Sequence, residues 1–362
     1  MWIFDGFEMV ALGEPLRRTR REVSELSPDE VLVEVAGCGV CHTDIGFLYD
    51  GVKTRGELPL ILGHEISGYV VDAGSQMAHL RGQAVVVPAV IPCGKCADCA
   101  VGRPMICRHQ VMPGNDRDGG FASCVVVPGH GLCVVPGAPS DPDQPLSGGS
   151  GATLRHLAVV ADAVSTPWQA VARSGLGAGD LAVVIGLGGV GGYAVQIAAS
   201  KGAHVVGIDI DAQRLAAAEV AGARLTLDPT GRDARDIRRQ IKGFAKEIGA
   251  PATRWTILEC SGSAAAQSTA WGLLVHGATL CVVGYTTAKA ELRLSNLMAF
   301  DARAIGNWGC DPALYPDIVR AVLDGDIDLI SNTELRPLDT AAQALADVRG
   351  HRVSKRIVLT PE

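Results

Sequence analysis

The chain has 362 residues, 48% of them hydrophobic and 20% charged, with a formal net charge of −7. That length accommodates two domains with buried cores, and the acidic balance argues against nucleic acid as a partner, since phosphate binding needs a basic surface. The eleven cysteines stand in a chain whose start, MWIFDGFEMV, has no basic segment ahead of its apolar one; a cytoplasmic, reducing setting is expected, with thiols free or metal-bound rather than in disulfides.

The first charged run, Arg17, Arg18, Arg20 and Arg21, reads as a solvated loop. The first 150 residues otherwise read as short β segments, VLVEVAGCGV, ISGYVVDAG, AVVVPAV and SCVVVPG, broken by Gly and Pro. Cys41 ends the first of these and is followed by His42, Thr43 and Asp44, while His64 and Glu65 sit between glycines in a turn. Taken alone, such residues suit packing or surface roles as well as metal ligation.

Between Pro92 and Arg108 the pattern is sharper: Cys93-x2-Cys96-x2-Cys99-x7-Cys107. Four thiolates with no histidine and no open position describe a closed tetrahedral zinc site that holds a loop rather than performing chemistry. An iron site or an empty reduced cluster are the alternatives. The stretch Gly137 to Gly151 is breaker-rich and reads as a surface excursion.

From about Ala163 the pattern becomes strand–helix alternation, which means a parallel sheet covered on both faces. The uncharged run Leu181 to Ser200 is long enough for a membrane span. Its five glycines between Gly186 and Gly192 fit a strand, a turn and a helix better, so no membrane partner is expected. Gly186, Gly188, Gly189, Val190 and Gly191 form a G-x-G-x-x-G loop directly after a strand, where the backbone can approach a pyrophosphate. The next strand ends in Asp209, placed to accept from an adenosine ribose 2′-OH and to repel a 2′-phosphate, which favours NAD over NADP. Arg214, in the helix that follows, is assigned to the same cofactor site. A helix near Leu314–Asp324 and a final strand, SKRIVLT, return to the first domain.

GHE-x-x-G at Gly63–Gly68, CHTD at Cys41–Asp44, the four-cysteine lobe and the GLGGVG loop occur in this order in the zinc-dependent medium-chain alcohol dehydrogenases, and the chain resembles that family over essentially its whole length. The resemblance implies an α/β fold: a Rossmann-type parallel sheet domain at 164–305, and a mostly β, GroES-like catalytic domain at 1–163 and 306–362 with a zinc lobe at about 92–108. It implies two zinc ions per chain, NAD, and a homodimer or homotetramer. Cys41 and His64 resemble catalytic zinc ligands, Thr43 the hydroxyl that relays the alcohol proton, Asp44 the acid that orients His64, and Glu65 the second-sphere carboxylate able to swing onto the metal. Arg356 resembles the arginine facing the cofactor pyrophosphate. The third ligand, often cysteine in the family, falls at Asp162, with Glu65 as the alternative. Where many members carry a histidine at the outer end of the relay this chain has Gly46, leaving His42 or water for that task.

Within the family, YDGVKTRGELPLILGHEISG looks most like the 6-hydroxycyclohex-1-ene-1-carbonyl-CoA dehydrogenases, which implies oxidation of a ring hydroxyl on a cyclic hydroxyacyl-CoA. Lys53, Arg55 and Arg117 are the candidate cations for a CoA phosphate, and each reads more readily as an ordinary exposed charge. A generic zinc alcohol or polyol dehydrogenase, a zinc-free reductase of the same superfamily and a non-catalytic zinc-lobe protein are the competing readings.

Overall fold

In the computed structural model, which describes residues 1–362, the run EVLVEVAGCG forms the strand Glu30–Gly39 at the centre of a seven-stranded sheet. Its Val31, Leu32 and Val33 are fully buried. Along one side it pairs antiparallel with Glu65–Ala73, followed by Ala84–Val87 and Cys133–Val134. Along the other side Cys124–Pro128 takes its first half and Arg356–Thr360 its second, with Thr333–Pro337 beyond. The register sets Gly39 opposite both Glu65 and Val358. Residues far apart in sequence therefore meet where this strand ends.

A three-stranded sheet adds Trp2–Met9, Arg17–Val23 and Leu60–Ile61. The arginine run is thus an edge strand and not the loop expected from its charge. Arg17 and Arg21 reach the buried Glu8, and Arg18 and Arg20 reach Asp5, all across the strand pair. Cross-strand carboxylates neutralise the run, and a charged edge deters pairing with another chain.

The second sheet has six parallel strands in the order Ala223–Leu227, His204–Ile208, Leu181–Ile185, Thr256–Glu259, Thr279–Val282 and Arg303–Gly306. Its central strands are buried on both faces, as helices cover them. The run Leu181 to Ser200 is a strand, a loop and the helix Gly191–Ser200, and no helix is long and apolar enough to cross a membrane. The chain forms two compact units: Met1–Ser165 with Gly309–Glu362 holds the seven- and three-stranded sheets, and Thr166–Trp308 holds the six-stranded one. These divisions fall two and three residues beyond the boundaries read from the sequence, 163 and 305.

Candidate metal centres and dinucleotide loop

Cys41 caps the helix His42–Tyr49, just past the end of the central strand, and His64 directly precedes the strand that pairs with it. Asp162 closes the 3-10 helix His156–Ala161. These elements bring Cys41, His64, Glu65 and Asp162 together, with donor atoms all within 4.8 Å of one another. Asp162 Oδ2 lies 3.8 Å from Cys41 Sγ and 3.6 Å from His64 Nε2. Zinc–ligand bonds of about 2.0–2.3 Å at tetrahedral angles separate donor atoms by about 3.4–3.8 Å, so this trio has the spacing of a zinc site.

His64 is 1% exposed, yet neither ring nitrogen makes a hydrogen bond of good geometry. Buried polar atoms without partners are rare, and a ligand role for Nε2 accounts for this one. Behind the ring, Asp44 Oδ1 stands 3.4 Å from Nδ1, while the Asp44 carboxylate accepts the Cys41 and Gly63 amides. That arrangement fixes the ring as metal-site outer partners do. Burial works against a charged imidazole, but the Asp44 carboxylate, then Asp162 and Cys41, hold it well above its ordinary value.

Glu65 is fully buried and pairs through both oxygens with Arg356, itself 7% exposed. Burial pushes the Glu65 carboxyl up, to about 7, against the pull of Arg356, and the charge of Asp162 adds to the rise. A Cβ at Gly39 would strike this carboxyl, so the glycine makes room for the pair. Sequence reasoning placed both residues near the chemistry but not on each other; only the register of their strands with Glu30–Gly39 shows it.

Thr43 Oγ1 lies 3.6 Å from Cys41 Sγ, at the mouth of this group. His42 is exposed and stacks on His351, ring centroids 6.3 Å apart, and Gly46 is buried within the helix. The cations considered for CoA are not a free cluster: Arg55 pairs with Asp116 at 2.7 Å and Arg117 with Glu30 at 2.8 Å, leaving Lys53 exposed.

In the lobe, Cys93, Cys96, Cys99 and Cys107 again converge within 4.8 Å, with Cys96 Sγ 3.5 Å from Cys99 Sγ and 3.7 Å from Cys107 Sγ. The amides of Cys93 and His109 point at Cys107 Sγ, and the His130 ring bonds the Pro92 carbonyl at the base of the lobe. The Lys95 amide leads in drawing Cys93 down to about 6, while burial and its sulfur neighbours push Cys99 up to about 12.

In the other unit, Gly186 has a φ of +83°, and a Cβ at Gly191 would collide with the Gly186 carbonyl. The turn and the helix start need both glycines, as a dinucleotide-binding loop does. Gly188 and Gly189 lie between them, and Val190 precedes the helix. Asp209 follows its strand and ties the loop: Oδ2 accepts the Leu187 amide at 2.7 Å and Oδ1 the Asp211 amide at 3.0 Å. A carboxylate retains further lone pairs for ribose hydroxyls. Arg214 Nη1 stands 3.8 Å from Asp209 Oδ2.

Comparison with known proteins agrees with this geometry. Residues 27–137 match the alcohol dehydrogenase GroES-like domain, and residues 189–324 match the zinc-binding dehydrogenase family. An alcohol dehydrogenase of Geobacillus stearothermophilus is 26% identical over 348 residues, 96% of each chain. An uncharacterized zinc-type alcohol dehydrogenase-like protein of Haemophilus influenzae is 31% identical over 263 residues, 72% of this chain and 70% of its own. Among solved structures, a zinc-binding dehydrogenase from Sinorhizobium meliloti 1021 bound to NADP aligns over 100% of both chains with a TM-score of 0.84 and 25% identity. The fold and site define a metal-dependent, nucleotide-using oxidoreductase. The chain belongs to the zinc-dependent medium-chain alcohol dehydrogenases, enzymes with zinc and a nicotinamide dinucleotide as cofactors.

Proposed function

We propose that this enzyme oxidises a substrate alcohol to a carbonyl compound at the pocket of Cys41, His64 and Asp162, with NAD as acceptor. The observation that carries this reading is the convergence of those three donors at zinc spacing, with Asp44 behind His64. When bound, zinc supplies Lewis acidity that eases loss of the hydroxyl proton, and the dinucleotide accepts hydride.

Charge bookkeeping favours Asp162 over Glu65 as the third ligand. The Cys41 thiolate and Asp162 carboxylate match a divalent ion with neutral His64, while Glu65 is neutralised separately by Arg356. Thr43 receives the substrate proton and passes it outward, with His42 the nearest candidate beyond. Gly186, Gly188, Gly189 and Gly191 cradle the pyrophosphate and Asp209 the ribose. Arg356 keeps its pyrophosphate role only as an addition to the Glu65 pair.

The finer reading of the substrate is the ring hydroxyl of a cyclic hydroxyacyl-CoA, supported by the likeness of the segment from Tyr49 to Gly68. The pairing of Arg55 and Arg117 with carboxylates gives it no further support. An NADH absorbance assay over simple secondary alcohols, polyols and 6-hydroxycyclohex-1-ene-1-carbonyl-CoA tests both levels. Turnover of one class that is lost on metal removal and in Cys41→Ala supports the reaction. Turnover indifferent to Cys41→Ala contradicts it.

A further inference from the structure

The carbonyl of Ala161, the residue before Asp162, is held by three donors. The Tyr315 hydroxyl donates to it at 2.6 Å, the Ser165 hydroxyl at 3.0 Å and the Ala89 amide at 3.2 Å. Ser165 Oγ also lies 3.2 Å from the Tyr315 oxygen, so its single proton can serve either acceptor. Tyr315 and Ser165 are fully buried, and Ala161 and Ala89 nearly so. The donors arrive from separate parts of the fold: Ala89 follows the strand Ala84–Val87, and Tyr315 opens the helix Tyr315–Leu323, 154 positions from Ala161.

A carbonyl at the end of a helical turn needs one donor to be satisfied. Several donors from different directions also fix where it points. Because a peptide unit is planar, fixing the Ala161 oxygen fixes the amide and Cα of Asp162. Asp162 has φ −142° and ψ −58°, outside the helix and strand wells, so local preference does not supply its orientation. Phenylalanine would fill the space of the Tyr315 ring without burying a hydroxyl; the hydroxyl has a task that the ring does not.

We propose that Tyr315, assisted by Ser165, is a positioning residue for the metal centre, setting the Asp162 carboxylate beside Cys41 and His64 by gripping the preceding carbonyl. This rests on the reading of Asp162 as a ligand.

Zinc release from the full-length protein to a chromogenic chelator tests it, with the four-cysteine lobe as internal reference. In Tyr315→Phe the Asp162 site releases zinc about tenfold faster or more, in the range of lost outer-partner contacts, while the lobe is unchanged. In the cobalt-substituted protein only the visible bands of the Asp162 site shift. Ser165→Ala moves both readouts in the same direction by less, and it carries the same test should Tyr315→Phe not fold. Unchanged release and bands overturn the proposal. Equal acceleration at both sites overturns it too, because the hydroxyl then supports the fold at large. Asp162→Ala separates the underlying reading: zinc retained there removes Asp162 as a ligand, whereas zinc lost there but held in Tyr315→Phe removes only the positioning role.

Discussion

Glu65 and Arg356 stand 291 positions apart in the chain and form a buried two-point ion pair beside Cys41, His64 and Asp162. The Arg356 guanidinium offsets the charge that a buried Glu65 carboxylate would otherwise carry alone. Breaking a buried pair from one side leaves the other charge unpaired, which typically destabilises by about 3–5 kcal/mol. Arg356→Leu should therefore lower the stability of the metal-free protein by about that amount in urea unfolding. The double variant Glu65→Gln with Arg356→Leu should recover much of it. Equal losses in single and double variants would show that the pair does not matter.

Asp209 ties the glycine loop through Oδ2, which accepts the Leu187 amide, with Arg214 alongside. Replacing it with glycine removes the charge facing a 2′-phosphate and leaves Arg214 to attract one. The ratio of kcat/KM for NADP over NAD should rise by at least about tenfold, equivalent to about 1.4 kcal/mol. A ratio unmoved by Asp209→Gly would remove Asp209 from cofactor selection.

Burial alone would raise the Glu8 carboxyl, but Arg17, Arg21 and the Thr19 hydroxyl together hold it below its ordinary value of 4.5. A carboxyl depressed on folding contributes stability above its unfolded pKa and loses it as pH falls through the folded one. At neutral pH Glu8→Gln should cost about 1.5–3 kcal/mol, the range for hydrogen bonds to a charged group. That difference should shrink steadily below about pH 4.5. A gap between the two proteins that stays constant from pH 7 to pH 3 would contradict the pairing.

The lobe makes a separate prediction. With metal bound, Cys93, Cys96, Cys99 and Cys107 should resist alkylation together, and chelation should expose all four in one step. Cys96→Ser should halve the zinc content while sparing the Cys41 site. Mass spectrometry of alkylated peptides reads this directly; independent reactivity of the four thiols would argue against a shared ion.

What the sequence revealed depended on how local each feature is. The lobe and the glycine loop are contiguous, so spacing alone suffices to read a closed metal site in one and a dinucleotide loop in the other. Cys41, His64 and Asp162 carry no joint pattern in the chain; resemblance points to them, strand register explains why Cys41 and His64 meet, and the 3-10 helix His156–Ala161 ends on Asp162. The Glu65–Arg356 pair and the Tyr315 hydroxyl on Ala161 lie in long-range packing, where no sequence periodicity exists to find them. The arginine strand reads as a loop in the sequence because its cross-strand carboxylates, Asp5 and Glu8, precede it and give no sign of pairing. The helix Ala341–Arg349, packed against His42–Tyr49, lies in a stretch whose pattern is too loose to show it.

The most direct test of the whole account is an anomalous difference map at the zinc absorption edge from crystals of the purified enzyme. We predict two peaks per chain, one inside the lobe and one bonded to Cys41, His64 and Asp162, with Glu65 still on Arg356. A map without the second peak, or with Asp162 turned away from it, would contradict the account.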